Sequence, residues 1–371
     1  MLDLYSKKRG QRVPFLWRIC GLLLGLFLIL LTGCTASESV VEESPKRVFA
    51  SPEVVGFVQG SDTTFVTASD FYTLESVYLS ELLSAEYQIA VFLAGGEIHY
   101  VDDFANAFVK PGGNGLDVVF EDGTTLKNIA GVVADPPSIS VTQAYFDVLR
   151  FLQDGHRVMV VVLDAWGWAM FNGFADYQPF LAAQNVQKAH TVFPPFTPVA
   201  LASVLTGLLP HEHGVHDRAT RTMSVPDMFD AASELGLSSI RVQGSVEMVR
   251  ASINSVLVPG ADTAKETDTN VFNAAMSRID DADLMFVHFN IIDYMAHNYG
   301  PYSTYVREAF ALVDGFVQEL VLARPGVVIV TADHGQHYLG HPGRKGDHLW
   351  VSHEDIFVPY VVIWSETEMR E

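Results

Sequence analysis

The chain has 371 residues, and 49% of them are hydrophobic, which is ample for a large core spread over two or three domains. It carries 44 acidic and 23 basic residues, so its formal net charge is -21. A surface this acidic repels polyanions, which argues against a nucleic-acid polymer as a partner.

The N-terminus has the pattern of a secretory signal. A basic segment precedes an apolar run of thirteen residues, Ile19–Leu31, which is short for a membrane-spanning helix. Residues 31–34, Leu-Thr-Gly-Cys, resemble the lipobox of bacterial lipoproteins. The resemblance implies a signal peptide over 1–33, a lipid on Cys34 and an extracytoplasmic, membrane-attached protein. The alternative is an uncleaved signal anchor.

The two cysteines limit the chemistry of the mature chain. Cys20 lies in the segment that cleavage would remove, and Cys34 would carry the lipid. Disulfides, cysteine catalysis and zinc–thiolate sites are therefore excluded. The polar residues 34–48 are predicted to be a tether between the lipid and the fold.

Residues 49–140 are predicted to form a small, mostly β accessory domain. Short β-rich runs alternate with glycine-containing turns, and one helix is expected near Leu74–Ser84. Pro136 and Pro137 mark the end of this domain. The segment contains no cluster of catalytic residue types, so the sequence assigns it no function.

Residues 141–371 show a different alternation, in which unbroken apolar runs are separated by helical patterns such as Pro226–Leu235 and Tyr302–Ala323. The apolar runs are Arg157–Asp164, Ser239–Gln243, Asp283–Phe289, Gly326–Thr331 and Val358–Trp364. Such runs are typical of strands buried on both faces. We predict an α/β fold: a three-layer α/β/α sandwich with a largely parallel sheet, preceded by the small β domain. Reactive residues are expected at the carboxyl ends of the strands.

Residues with carboxylate and imidazole side chains follow these runs. Asp164 ends the first run, and its alternative role is to cap a helix. Asp293 and His297 stand four apart, so that on a helix both side chains can bind one ion, and the alternative is a coincidental spacing. Adjacent Asp333 and His334 end another run, where Gly335 permits a tight turn behind them, and His348 lies in a glycine-bearing loop.

Thr197 supplies a hydroxyl in the segment Phe193–Gly207. Prolines hold the backbone extended before it, and Pro198 suits the first turn of a helix, so Thr197 is predicted to be the N-cap. A hydroxyl there lies beside the positive end of the helix dipole, where an oxyanion would also bind. The alternative is that Thr197 only caps a core helix.

Together these residues resemble the alkaline phosphatase superfamily, and within it the type I phosphodiesterase/nucleotide pyrophosphatase branch. The resemblance covers Val158–Trp364. It implies two divalent metal ions, zinc in the first place, with manganese also compatible with an oxygen-rich site. One ion would be held by Asp293, His297 and His348, and the other by Asp164, Asp333, His334 and the Thr197 oxygen. Bound metal would also supply the positive charge that an acidic chain needs to bind a phosphate ester.

The resemblance further implies hydrolysis of a small phosphate ester, a diester rather than a monoester, through phosphorylation of Thr197. Leu201 stands where sulfatases have an arginine, which disfavours sulfate esters. Ala200 stands where nucleotide pyrophosphatases usually have an asparagine, which leaves nucleotide specificity open.

Several alternatives remain open. A phosphomonoesterase, phosphonate hydrolase or phosphotransferase would use the same scaffold, water in place of Thr197 could attack, and a non-catalytic surface lipoprotein would keep the fold for binding. The histidine-rich segment 211–216 offers a third metal site or a structural role, and Trp166 and Trp168 either line a pocket or pack in the core. The sequence does not indicate an oligomeric state.

Overall fold

The computed structural model describes residues 52–71 and 75–365. The predicted signal peptide, the tether and the lipid site at Cys34 lie outside these ranges, so they stay predictions. Within the described ranges no helix combines the length and the apolar character needed to cross a membrane. The domain boundary predicted near residue 140 also stays a prediction.

Residues 55–134 form two small sheets. Their strands are β1 (Val55–Gln59), β2 (Asp62–Val66), β3 (Val77–Tyr78), β4 (Ile89–Leu93), β5 (Ile98–Val101), β6 (Phe108–Gly112), β7 (Gly115–Val119), β8 (Thr125–Leu126) and β9 (Ile129–Ala134). One sheet has the order β2-β1-β9-β4-β5 and the other the order β3-β6-β7-β8. Near the expected helix the described residues contain only a 3₁₀ turn, Ala68–Phe71, and a single turn of α-helix, α1 (Leu79–Leu82).

Residues 139–364 are built on an eight-stranded sheet and a two-stranded ribbon. The strands are β10 (Ile139–Ser140), β11 (Val158–Leu163), β12 (Gln187–His190), β13 (Ser239–Gly244), β14 (Val256–Val258), β15 (Leu284–Phe289), β16 (Val327–Thr331), β17 (His337–Tyr338), β18 (Gly346–Asp347) and β19 (Phe357–Trp364). The large sheet has the order β10-β12-β19-β16-β11-β15-β13-β14, and all its pairs are parallel except the two that β19 makes. The predicted largely parallel sheet is confirmed.

Helices lie between most of these strands. They are α2 (Gln143–Gln153), α3 (Trp168–Gly173), α4 (Pro179–Ala182), α5 (Thr197–Thr206), α6 (Pro210–His213), α7 (Met228–Glu234), α8 (Ala264–Met276), α9 (Ile291–Tyr299), α10 (Thr304–Ala323) and α11 (His353–Ile356), with a 3₁₀ turn at Ala175–Tyr177. Helices α5 and α7 pack on α2, which contacts β11, whereas α4, α8 and α9 pack on α10, and α8 contacts β13 and β15. Two helical layers thus enclose the sheet.

The central strand β11 explains where the polar residues collect. All six of its residues are buried, as the apolar run predicts, and it is paired in parallel with β15 and β16. Val162 lies opposite both His288 and Thr331, so the three strands end at the same edge. The Asp164 N–H continues the ladder by donating to the Phe289 carbonyl at 2.9 Å. The loops after these strands therefore meet at one place.

The five-stranded sheet packs closely on Val351, which follows the loop of His348. Gly56 and Gly131 lie opposite each other on β1 and β9, and a Cβ on either would overlap Val351. Only glycine permits this approach. We expect Gly131→Ala to lower the free energy of unfolding by about 1–3 kcal/mol through overpacking, measured by denaturant titration. Gly113→Ala, where an added Cβ meets no atom within 4 Å, is the control, and equal losses in the two variants would contradict the expectation.

Candidate metal centre and active site

The first ligand cluster lies after the two central strands. Asp164 follows β11, and Asp333 and His334 follow β16. His334 Nε2 lies 3.5 Å from Asp164 Oδ1 and 3.4 Å from Asp333 Oδ2, and all three side chains are fully buried. One ligand atom from each residue lies within 4.8 Å of the others. Asp164 and Asp333 are 169 positions apart in the chain, and they meet because each follows one of two paired parallel strands.

The second cluster combines the helix pair with the late histidine. Asp293 and His297 lie on α9, and His297 Nε2 is 3.1 Å from Asp293 Oδ1. His348 Nε2 lies 3.2 Å from His297 Nε2 and 3.6 Å from Asp293 Oδ1. The clusters adjoin, because the rings of His334 and His348 stack with their centroids 3.8 Å apart. All six predicted protein ligands other than Thr197 are therefore neighbours.

Two of the three histidines, His334 and His348, are held with Nε2 directed at the clusters, whereas both ring nitrogens of His297 also contact Arg344. Nδ1 of His297, His334 and His348 lies 2.7, 3.0 and 2.7 Å from the carbonyl oxygens of Gly346, Gly335 and Pro195, respectively. A carbonyl oxygen only accepts, so Nδ1 of His334 and of His348 carries the proton and Nε2 has a lone pair directed at the clusters. This assignment does not extend to His297, because Arg344 donates to its Nδ1 at 3.1 Å. Burial lowers the pKa of His348 well below its usual range, which keeps this ring in the neutral, metal-binding form.

The buried carboxylates also fit a cation. Burial, followed by the charges of Asp333 and Asp293, raises the pKa of Asp164 well above its usual range. Among the described residues, Asp164 Oδ1 and Asp333 Oδ2 have no hydrogen-bond partner. Buried like charges with unsatisfied oxygens are costly, and a divalent cation between them removes both penalties. The donor set, oxygen and imidazole nitrogen without sulfur, suits zinc or manganese.

Thr197 lies next to the first cluster, although not in the predicted cap position. The helix α5 begins at Thr197, and its N-cap is Phe196, so the N-cap prediction is wrong by one residue. Pro198 occupies the second helical position, which its fixed φ and absent N–H allow. Among the described residues, the hydrogen-bond contact of the Thr197 hydroxyl is with His334 Nε2, at 3.3 Å. The hydroxyl is thus available to a ligand.

Several side chains around the clusters escaped the sequence analysis. Asn290 donates to Asp164 Oδ2 at 2.7 Å, and His288 Nε2 lies 3.2 Å from the same oxygen. Gln336, directly after the Asp-His-Gly motif, donates to Asp293 Oδ1 at 3.0 Å. Asp347 also lies within ligand distance of His297 and His348. Asn290, Gln336 and Asp347 each stand within three residues of a predicted ligand, and this proximity is the signal that could have identified them.

A cavity of about 420 Å³ opens onto Thr197 and the second cluster. Its wall includes three arginines, Arg218, Arg221 and Arg344. Arg344 forms an ion pair with Asp347 at 3.0 Å and also contacts His297. In a chain as acidic as this one, arginines in the wall of one cavity favour an anionic ligand there.

The other residues singled out from the sequence lie elsewhere. His213 is buried against the hydroxyl of Ser203 at 2.9 Å, and in the described ranges no candidate metal group includes a residue of segment 211–216. Trp166 is fully buried, and its Nε1 donates to Gln178. These observations favour the structural alternatives.

Part of the chain matches a known protein family. The model of the type I phosphodiesterase / nucleotide pyrophosphatase family matches residues 158–235 and 225–341. The matched segment contains six of the seven predicted site residues, all but His348, and the match indicates a phosphoester hydrolase. No curated protein matches the sequence.

Solved structures show remote similarity. Phosphonoacetate hydrolase from Sinorhizobium meliloti 1021 is 19% identical, with a TM-score of 0.41, over 50% of this chain and 58% of that one. Murine ectonucleotide pyrophosphatase / phosphodiesterase 5 is 13% identical, with a TM-score of 0.43, over 55% and 87%. The C-terminal periplasmic domain of EcEptC from Escherichia coli, a complex with Zn, is 15% identical, with a TM-score of 0.39, over 57% and 73%. The chain thus spans little more than half of the hydrolase, and similarity at this level identifies no substrate.

Proposed function

We propose that the protein hydrolyses small phosphate esters, diesters in preference to monoesters, with two divalent metal ions and Thr197 as the nucleophile. The observation that carries this proposal is the position of the Thr197 hydroxyl, 3.3 Å from His334 Nε2, where two ligand clusters adjoin beneath one cavity. The family match over residues 158–341 supports the reaction class and the preference for diesters.

The two clusters support the ligand sets that the sequence predicts. Asp293, His297 and His348 would hold one ion, and Asp164, Asp333, His334 and Thr197 would hold the other. When bound, the ions neutralise negative charge on the phosphate and favour ionisation of an attacking hydroxyl. Zinc is the expected metal because imidazole and carboxylate ligands suit it, and manganese is the second choice.

The protein's own contribution is position and charge. The Thr197 hydroxyl releases its proton to solvent, its Oγ1 forms a bond to phosphorus, and the bond to the leaving oxygen breaks, so that the alcohol departs as its anion or takes up a proton from solvent. Water then cleaves the threonyl phosphate and restores the hydroxyl. Helix α5 directs its positive end at the phosphate, because Thr197 is its first residue. Asn290 and Gln336 hold Asp164 and Asp293 in place through the hydrogen bonds described above.

A panel of 4-nitrophenyl esters tests the reaction class. With zinc present we expect release of nitrophenolate from the phosphodiester, slower release from the monoester and none from the sulfate. Manganese in place of zinc tests the second metal. Faster turnover of the monoester would reassign the protein to phosphomonoesterases, and an absence of turnover with every ester would favour a non-catalytic binding protein.

We also propose that the chain is extracytoplasmic and attached to the bacterial membrane by a lipid on Cys34, as the pattern of residues 19–34 supports. Replacing Cys34 by alanine is expected to move the protein from the membrane fraction to the soluble fraction. Cys20→Ala, which changes the other cysteine of the segment, is the matched control and should stay with the membrane. Retention of the Cys34→Ala protein in the membrane fraction would instead indicate a signal anchor.

A further inference from the structure

Two of the cavity's arginines have no acidic partner. In the described part of the chain, neither Arg218 nor Arg221 lies within ion-pair distance of a carboxylate, whereas Arg344 is paired with Asp347. The chain holds nearly two acidic residues for each basic one, so carboxylates are abundant. Two unpaired guanidinium groups therefore stand out in the wall of the cavity that contains Thr197.

Arg218 and Arg221 are held by contacts that do not neutralise the positive charge of their guanidinium groups. The Arg218 guanidinium lies over the ring of Phe196, 5.0 Å from its centroid, and Phe196 directly precedes Thr197. Arg221 donates from Nε to the Arg218 carbonyl and from Nη1 to the Glu247 carbonyl, each at 3.2 Å. Aromatic and carbonyl contacts orient a guanidinium without neutralising it. Both residues are exposed and able to contact a ligand.

The scissile phosphate already has a place of its own at Thr197 and the two ligand clusters. Among the described residues, no hydrogen bond or ion pair joins Arg218 or Arg221 to a residue of those clusters, although they line the same cavity, so their charge is available beside that place. From this geometry we propose that the substrate carries a second phosphate group besides the scissile ester, and that Arg218 and Arg221 bind it. The inference rests on the proposed function, which supplies the position of the scissile ester.

The chemistry of the guanidinium group supports a phosphate as the second anion. Its planar fork binds phosphate oxygens through two parallel hydrogen bonds, and a terminal phosphate carries about -1.5 to -2 charges near neutral pH. Two unpaired arginines balance that charge, whereas a single carboxylate would leave one of them unmatched. The substrate class is thus a phosphodiester in which one of the two esterified alcohols carries a terminal phosphate.

Two esters that differ only in that phosphate test the inference. The first is the 4-nitrophenyl phosphodiester of propane-1,3-diol, and the second is the same compound with a phosphate on the free hydroxyl. Both release nitrophenolate, and the flexible three-carbon chain assumes no nucleoside. We expect the wild-type kcat/KM to be higher for the second ester by about tenfold for each arginine engaged, mainly through KM. The preference should weaken as salt is added.

The readout in the variants is the ratio of the two kcat/KM values. Arg218→Ala and Arg221→Ala should each lower this ratio about tenfold, and Arg218→Lys should restore part of it, since lysine keeps the charge without the fork. Arg150→Ala is the matched control: Arg150 is an exposed arginine on α2, paired with Asp147 outside the cavity, and its loss should leave the ratio unchanged. Equal wild-type rates for the two esters would overturn the inference. So would equal losses on both esters in the variants, because the arginines would then serve the scissile phosphate.

A binding measurement separates this inference from the proposed function. Calorimetry compares propane-1,3-diyl bisphosphate with propyl phosphate on the zinc-loaded protein and requires no turnover. Tighter binding of the bisphosphate that disappears in Arg218→Ala and Arg221→Ala supports the inference even if neither ester is hydrolysed, an outcome that would contradict only the proposed hydrolysis. Equal binding of the two ligands by wild type contradicts the inference even in an active enzyme.

Discussion

Replacing Thr197 by alanine is expected to lower kcat for the nitrophenyl phosphodiester by about a thousandfold or more, because the variant has no oxygen to attack phosphorus. The fold should survive. Helix α5 begins with the N-cap Phe196 and the favourable Pro198, and among the described residues the Thr197 hydroxyl has its hydrogen-bond contact with His334. Steady-state kinetics and thermal unfolding of the same preparations separate lost chemistry from lost structure.

Two substitutions sharpen the Thr197 experiment. Thr197→Ser keeps a hydroxyl and should retain measurable turnover. Thr206→Ala is the control on the same helix: its hydroxyl is also buried but donates to the Ala202 carbonyl, so its removal should cost about 1 kcal/mol of stability and leave kcat intact. Phosphorylated Thr197 in an acid-quenched reaction, detected by mass spectrometry, would support the covalent route. Wild-type turnover by Thr197→Ala would show that water attacks directly.

The central strands could be predicted because each one is an unbroken apolar run in the sequence, and burial on both faces explains such a run. Strands β11, β15 and β16 are buried on both faces, so their sequences are unbroken apolar runs, and the residues after them must meet at one edge of a parallel sheet. This reasoning alone places Asp164 beside Asp333. The short edge strands β10 and β14 have only two and three residues, too few to produce a pattern in the sequence.

The rest of the site depends on tertiary contacts that leave no pattern along the chain. Arg218 and Arg221 lie in an irregular segment between α6 and α7, where no periodicity predicts the direction of a side chain. The sequence predicts the N-cap one residue too late, at Thr197 instead of Phe196, because Pro198 is compatible with the first and with the second helical position. Gln336 differs from these, since its place directly after a strand-end motif makes it a reasonable site residue on sequence grounds alone.

Removal of metal is expected to abolish activity and to lower stability together. A ligand that binds only the folded state stabilises it by about 4 kcal/mol when its free concentration is about 1,000 times Kd. Chelation should therefore lower the melting temperature, and added zinc should restore both the melting temperature and the turnover. The measurement is thermal unfolding with and without zinc, followed by the nitrophenyl assay.

The substitution Asp164→Asn is expected to change the stability in opposite directions without and with zinc. In the metal-free protein Asp164 is fully buried near Asp333, and its raised pKa means that folding disfavours its ionised form. Asparagine removes that charge and can still accept the hydrogen bond from Asn290. We therefore expect Asp164→Asn to be more stable than wild type without metal and less stable than wild type with zinc, so that the order of the two proteins reverses.

The pH dependence of the metal-free comparison follows from the same pKa. Below the usual pKa of an aspartate both proteins are neutral at this position and differ little. As the pH rises towards the folded-state pKa of Asp164, the wild-type protein progressively loses stability and the variant does not, so the advantage of Asp164→Asn should grow with pH.

Asp314→Asn is the control for the effect of zinc, since Asp314 is a buried residue of α10 that accepts from the N–H groups of Phe180 and Leu181. Its effect should be the same with and without zinc. If Asp164→Asn behaves like Asp314→Asn, then no cation balances the charge of Asp164, and the ligand sets proposed for the two ions fail.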